Sequence, residues 1–295
     1  MFELLFTDYT TQIVVVGSAM IGAVTGMLGC FAYLRKQSLA GDVVSHATLL
    51  GIVVAFWLNW LVTGSGSKSL VVIIPGAIIA GLASLLLTRL ITTTTRIKPD
   101  AGLGVMLAIF FGSGLLMLRW VQRAQPPISG SAGLENYLFG MAAAMTITDL
   151  WMIGLLGGSA LLTLLLCWTQ LKVLTFDAEF ARSLGLPAHR IETLLLALFV
   201  VSIVIGLQIV GVILMIAMLV APAAAARQWT QKLGPMVWIA GGIGSVTAAI
   251  GALVSANQNH LPTGPVIVLL STIVVGGSVL FAPARGILWR QKHVS

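Results

Sequence analysis

Nine long apolar runs occupy most of this 295-residue chain, and they constrain its fold more than any other feature. A helix needs about 20 mostly apolar residues to cross the hydrocarbon core of a bilayer. Hydrophobic residues make up 58% of the chain and charged residues only 8%, a balance that the surface of a soluble domain cannot carry. We therefore predict an all-α, polytopic membrane protein, with residues 1–295 as a single transmembrane domain. The predicted spans cover residues 12–34, 39–62, 70–92, 100–119, 147–168, 190–207, 209–226, 235–256 and 264–283.

The sixth and seventh runs leave the number of spans open. Only the hexapeptide GLQIVG, residues 206–211, separates them. Interrupted helices are tolerated at membrane depth where loosened backbone lines a cavity or is covered by protein. One of these two runs is therefore a candidate for a broken or re-entrant segment, and eight full spans are the alternative.

The basic residues predict how the chain is oriented in the membrane. With nine spans, the connections on one side carry all the lysines and arginines except Lys68, Arg119 and Arg123. Cytoplasmic loops are the ones that carry such an excess, so the amino terminus is expected outside and the carboxyl terminus in the cytoplasm. The net charge of +7 is thus explained by topology. Nucleic acid is not predicted as a partner.

Asp42 and His46 interrupt the second apolar run. If Ser38 caps that helix, the rise of 1.5 Å per residue places Asp42 about 6 Å and His46 about 12 Å into the core. Four-residue spacing puts both side chains on one helix face, where a single ion can touch both. A carboxylate and an imidazole suit a divalent first-row metal such as manganese, zinc or iron. Two ligands make a poor cage, and a second copy of the chain on this face would supply two more. The alternative is an Asp–His contact that only holds the helix.

The loop TFDAEFARSLGLPAHR, residues 175–190, predicts a short cytoplasmic helix. Asp177 is a good N-cap, Glu179 suits the first turn, and Gly185 followed by a proline ends the helix. Phe176, Phe180 and Leu184 then fall on one face at intervals of four. This apolar face either lies against the protein's own helix ends or docks into a groove on a partner.

Three further residues are candidates for lining a pathway. Gln208 lies between two glycines near the predicted interruption, and Met215 offers a soft sulfur, although apolar packing is its ordinary role. His260, in an outer loop, could receive a metal at the mouth. The chain has no phosphate-binding loop and no nucleophile elbow, so it is not predicted to be an enzyme. If ATP supplies the energy for what this protein does in the membrane, a separate subunit must hydrolyse it.

Three segments, LAGDVVSHATLLGIV, DAEFARSLGLP and VGVILMIAMLVAPAAAA, together resemble the manganese/zinc/iron class of ABC transporter permeases. The resemblance continues through KPDAGLGV, NYLFG and LPTGPVIVL and covers nearly the whole chain. It implies a bacterial inner-membrane permease that pairs with a second copy or a paralogue. Its other implied partners are a cytoplasmic ATPase pair and an external metal-binding protein.

The resemblance also implies roles for individual residues. Asp42 and His46 match the intramembrane metal-coordinating pair. The loop helix, residues 177–186, matches the coupling helix that inserts into the ATPase. Its matching residues are Asp177, Glu179, Phe180, Ala181, Arg182, Leu184 and Gly185.

Two positions depart from the family pattern. Leu50 stands where a proline usually follows the histidine, and this predicts a softer kink. Ala225 stands where a threonine is common, which removes a polar group.

Two other kinds of transporter are weighed against this interpretation. A permease for a chelated metal or a cobalamin-like cofactor would need a wide path and no ligand pair at the midplane. A proton-coupled secondary carrier could use Asp42 and His46 as a proton relay.

Overall fold

The computed structural model describes residues 9–64, 66–125, 128–134, 140, 145–212, 215–257 and 261–282, without the side chains of residues 208–210. Within these ranges every regular element is a helix, which confirms the all-α prediction. The helices are α1 (Tyr9–Leu34), α2 (Ser38–Thr63), α3 (Leu70–Thr94), α4 (Pro99–Arg123), α5 (Ile147–Leu166), α6 (Trp168–Phe176), α7 (Ala178–Ser183), α8 (Ala188–Val210), α9 (Met215–Trp229), α10 (Leu233–Asn257) and α11 (Thr263–Phe281).

Eight of the described helices are long and apolar enough to cross a bilayer, in agreement with the eight-span alternative. The predicted seventh span, 209–226, does not form one helix. Residues 209 and 210 belong to α8, which ends at Gly211, and α9 begins at Met215. Gly211 has φ 81° and ψ 168°, a conformation open essentially only to glycine, so the helix stops there.

Helices α1 and α10 pack closely against each other, and glycines make that approach possible. A Cβ placed on Gly22 would collide with the carbonyl oxygen of Gly244, and one placed on Gly244 would collide with that of Gly22. A Cβ on Gly26 would collide in the same way with Ala240. Lipid tails remove any hydrophobic drive between helices, so close backbone packing of this kind holds membrane helices together.

Helices α2, α3 and α4 form a second tightly packed group, called here the three-helix unit. A Cβ on Gly51 of α2 would collide with the backbone carbonyl of Gly76 on α3. On the α4 side, a Cβ on Gly114 would lie 3.0 Å from the backbone nitrogen of Leu50. Backbone therefore meets backbone on both flanks of α2, with no layer of side chains between the helices.

One face of α2 is buried and another is open. Val43, Val44 and Ala47 are at most 1% exposed, whereas Leu39 is 48% exposed and Leu58 is 49% exposed. Asp42, His46, Leu50 and Val54 follow one another at intervals of four and are partly exposed, so a stripe of open positions runs along most of the helix. The predicted ion-binding residues lie on this face.

Candidate functional site

Asp42 and His46 lie side by side on α2, as their spacing predicts. Nε2 of His46 is 3.4 Å from Oδ1 of Asp42. The helix begins at Ser38, so the two residues follow its start by one and two turns. The N-cap is Gln37, and Ser38 is the first helical residue, so the predicted capping role of Ser38 is wrong. This difference moves the helix start by only one residue relative to the pair.

The pair is partly open and incompletely bonded. The side chain of Asp42 is 33% exposed and that of His46 is 17% exposed. Nδ1 of His46 is buried, and no residue in the described part of the chain forms a hydrogen bond with it. A buried ring nitrogen without a partner is uncommon in proteins, and a ligand is one of its ordinary explanations. The carboxylate of Asp42 and the imidazole of His46 can therefore both still bind a ligand.

Phe111 on α4 fixes the position of the His46 ring. The two ring centroids are 4.5 Å apart, and the rings are inclined by 65°, an edge-on arrangement that aromatic pairs favour. The sequence did not point to Phe111, because an aromatic residue in an apolar run carries no signal of which helix it faces. Its role as a neighbour of His46 becomes visible only in the packed structure.

An apolar groove continues from the pair along the same face of α2. Its volume is about 590 Å³, and α2, α3 and α4 enclose it. Leu50, one turn beyond His46, and Phe110, next to Phe111, form its wall nearest the pair. Helix α2 runs unbroken through Leu50, so the leucine that replaces the expected proline leaves a continuous helix. The groove thus begins one helical turn beyond the pair, and neither Asp42 nor His46 is among its lining residues.

The predicted loop helix is present as α7. The backbone N–H groups of Glu179 and Phe180 donate to Oδ1 of Asp177 at 3.0 and 2.8 Å, which confirms Asp177 as the N-cap. Gly185 follows the helix with φ 73°, and the N–H of Leu186 donates to the carbonyl of Ala181. This is the Schellman ending that glycine favours. The helix is thus capped at both ends by its own sequence.

The apolar face of α7 points away from the protein. Phe176, the last residue of α6, is 57% exposed, Phe180 in α7 is 52% exposed and Leu184, the C-cap of α7, is 55% exposed, whereas the neighbouring Ala181 is completely buried. The protein's own helix ends therefore do not cover these three side chains. Three large exposed apolar side chains in and beside one small helix are an unusual surface for solvent and are typical of a docking site.

The remaining predicted pathway residues are only partly described. Met215 is completely buried, and its side chain lies against Gly206. That environment corresponds to apolar packing. Ala225 is also completely buried. The side chain of Gln208 and the whole of His260 lie outside the described residues.

Across the ranges that the structure describes, no group of three or more histidine, cysteine, aspartate or glutamate residues is placed to hold a metal ion. The pair on α2 therefore supplies two donors from one chain.

A family model for the ABC 3 transport family matches residues 7–282. The chain belongs to the ABC 3 transport family. Two curated members are similar over nearly the whole chain. The zinc transport system membrane protein TroC of Treponema pallidum is 42% identical over 294 residues, which cover 99% of this chain and 96% of TroC. The manganese transport system membrane protein MntC of Bacillus subtilis is 38% identical over 290 residues, which cover 97% of this chain and 65% of MntC.

A solved structure supports the same placement in the ABC 3 transport family. The structure of PsaBC from Streptococcus pneumoniae in complex with Fab contains a chain that is 28% identical to this one, with a TM-score of 0.84. The match covers 99% of this chain and 98% of that chain. The helical arrangement described above is therefore shared over the full length of both proteins.

Proposed function

We propose that this ABC 3 family protein is the membrane permease of an ATP-driven importer of divalent transition metal ions. The supporting observation is the Asp42–His46 pair, which offers a carboxylate and an unpartnered imidazole nitrogen on an open helix face. Charged side chains are costly within a bilayer and mark ion pathways by default. Similar proteins are named for the transport of zinc and manganese, and the donor set suits both of these ions and iron.

The pair works as half of an ion site. Two donors are fewer than the four that zinc commonly takes, so a second copy or paralogue facing this side of α2 would complete the coordination. The open face and the apolar groove next to it provide the surface for that contact. A site shared between two subunits can release its ion when they move apart, as a pathway requires.

The test of this site is the uptake of manganese, zinc and iron by the complete transporter reconstituted in vesicles. Asp42→Asn and His46→Ala should each lower uptake at least about 100-fold, because even neighbours of metal ligands are worth about 10–100-fold. Both variants should still assemble with the ATPase. Uptake at the normal rate in both variants would overturn the role of the pair. Uptake that follows a proton gradient and survives ATP depletion would favour a secondary carrier.

Helix α7 is proposed to be the coupling helix, with the ATPase covering its apolar face. Phe176, Phe180 and Leu184 would enter a groove on that subunit, as amphipathic helices do. Docking on the ATPase would put α7 in the cytoplasm. The predicted nine-span topology, in which the 15-residue α9 is a short crossing in addition to the eight long helices, would put the carboxyl terminus there as well and the amino terminus outside, in a bacterial inner membrane. An external metal-binding protein would deliver the ion at the opposite end.

Leu184→Asp tests this docking surface, and Ser183→Asp is its matched control. Both side chains are exposed, but only Leu184 belongs to the apolar face. A carboxylate buried in an apolar interface leaves an unpaired charge, so Leu184→Asp should lower co-purification with the ATPase by about tenfold or more. Ser183→Asp should change it by less than about twofold. Equal co-purification of the two variants would contradict the proposed surface.

A further inference from the structure

Glu192 joins two arginines at the end of the bundle where α7 lies. Its Oε1 accepts a hydrogen bond from Nη2 of Arg35 at 2.8 Å, and its Oε2 lies 3.0 Å from Nη2 of Arg89. Each carboxylate oxygen thus holds one guanidinium. The three side chains, called here the ion triad, are 13% (Arg35), 26% (Arg89) and 26% (Glu192) exposed, so solvent screens them only in part.

The ion triad connects helices that are far apart in the chain. Glu192 lies one turn into α8, the helix that follows α7 directly. Arg35 lies in the short turn between α1 and α2, and Arg89 lies near the end of α3. One carboxylate therefore links the helix that continues from α7 to α3 of the three-helix unit and to the turn that joins α1 to α2.

The turn that carries Arg35 is held in place by backbone hydrogen bonds. The N–H of Lys36 donates to the carbonyl of Tyr33, and that of Gln37 donates to the carbonyl of Ala32, which together form a Schellman motif. Lys36 occupies the left-handed position of this motif with φ 55°. These two bonds hold the turn that carries Arg35 to the end of α1. On the other side, the N–H of Ala40 donates to the carbonyl of Gln37 and joins the turn to the start of α2.

Deeper in the bundle, α8 meets the three-helix unit through apolar side chains. A Cβ on Gly81 of α3 would lie 2.9 Å from one methyl of Val200 and 3.2 Å from a methyl of Val44 on α2. Contacts of this kind are not directional. Paired guanidinium–carboxylate bonds are directional and fix the relative positions of their partners.

We propose that Glu192 is a positioning residue that couples α8 to the three-helix unit, so that movement of α7 on the ATPase reaches Asp42 and His46. This inference rests on the proposed function. Burying part of three charges costs desolvation, and apolar replacements of such triads are often as stable or more stable. The main role of the ion triad is therefore to fix the positions of α8 and α2 relative to each other, and its contribution to stability is small.

The experiment compares the complete transporter with the triple variant Arg35→Met, Arg89→Met and Glu192→Met. The variant removes all three charges together, so no charge is left unpaired in a protein that must still fold. The measurements are manganese, zinc and iron uptake per ATP hydrolysed, and binding of the same ions by the solubilised complex. Asp100→Asn is the control, because it neutralises an exposed carboxylate at the same end of the bundle.

The triple variant should assemble, hydrolyse ATP and bind metal as before, while uptake per ATP falls about tenfold, a typical size for coupling between sites. The single variants Arg35→Met and Arg89→Met each keep one neutral pair and should lie between the triple variant and the wild type. Asp100→Asn should behave as the wild type. Unchanged uptake per ATP in the triple variant would overturn the proposal. A parallel loss of assembly, ATP hydrolysis and uptake would also overturn it, because the ion triad would then only hold the fold.

A second measurement separates this inference from the proposed function. Spin labels on Leu39 of α2 and Arg190 of α8, which are both exposed, report the distance between the two helix starts. With the ion triad intact, this distance should stay the same with and without ATP, and in the triple variant it should change. A wild-type complex that takes up no metal would contradict the proposed function, and the label distances would still decide the coupling role.

Discussion

The Asp42–His46 pair and the ion triad place charge in the same membrane protein in opposite ways. In the pair, the two side chains approach within 3.4 Å and leave a buried ring nitrogen without a partner in the described residues. In the ion triad, both oxygens of Glu192 are engaged by arginines at 2.8 and 3.0 Å. The pair retains capacity to bind something else, whereas each carboxylate oxygen of the triad already holds an arginine of the same chain. Nη1 of each of these arginines is buried without a hydrogen-bond partner among the described residues.

The difference shows that the number of ionisable groups in a helix bundle does not reveal their purpose. An unsaturated pair on an open face suits a cargo that must enter and leave. A triad in which each carboxylate oxygen holds an arginine suits a permanent link between helices. The two clusters should therefore respond in opposite ways when their charges are removed, and stability measurements can separate them.

The largest expected change in stability follows from removing the carboxylate of the ion triad alone. Glu192→Met leaves Arg35 and Arg89 close together without a counterion, so the free energy of unfolding should fall by about 2 kcal/mol, less than for a fully buried pair. Thermal unfolding of the purified permease in detergent measures this change. The triple methionine variant is the control and should regain most of the loss. A fall of equal size in both would show that the lost contacts, and not the unpaired charges, matter.

A smaller effect is expected from loosening the neighbour of His46. Phe111→Leu keeps an apolar side chain but removes the edge-on contact, which is worth about 0.5–1.5 kcal/mol for aromatic pairs. The imidazole should lose some of its preferred orientation, and the KM for metal uptake should rise about threefold with little change in the maximal rate. Phe110→Leu, one residue away on the groove wall, is the matched control. An equal rise in KM for the control would contradict the special role of Phe111.

The smallest effect is expected from making the pair apolar. Asp42→Leu removes a charge that no described arginine or lysine neutralises, and the residue lies on an open face. The free energy of unfolding should change by less than about 0.5 kcal/mol, although metal uptake is lost. Thermal unfolding again provides the measurement. A large loss of stability would mean that the contact between Asp42 and His46 serves mainly to hold α2.

Features that depend on neighbours along the chain could be predicted from the sequence. Asp42 and His46 share a face because of the helical repeat, and Asp177 and Gly185 delimit α7 because caps act within a few residues. The helices themselves follow the apolar runs, and most of their ends lie within three residues of the predicted ones.

Features that depend on helix rotation were not predicted. Glu192 lies near the start of a span and pairs with residues 157 and 103 positions earlier in the chain. The contact of Phe111 with His46 is of the same kind. Membrane helices are apolar on nearly all sides, so their periodicity does not tell which face meets which neighbour. Gly211 could be recognised as an interruption, but the exact end of α8 follows from the positive φ that the packed chain adopts there.

The glycine contacts between α1 and α10 provide a fixed reference frame for following motion in this protein. Because Gly22 and Gly244 meet backbone to backbone, neither helix can shift without separating from the other. A probe pair attached to these two helices should record a constant distance through the transport cycle. Displacements of α2 or α8 are then best expressed in coordinates that are tied to α1 and α10.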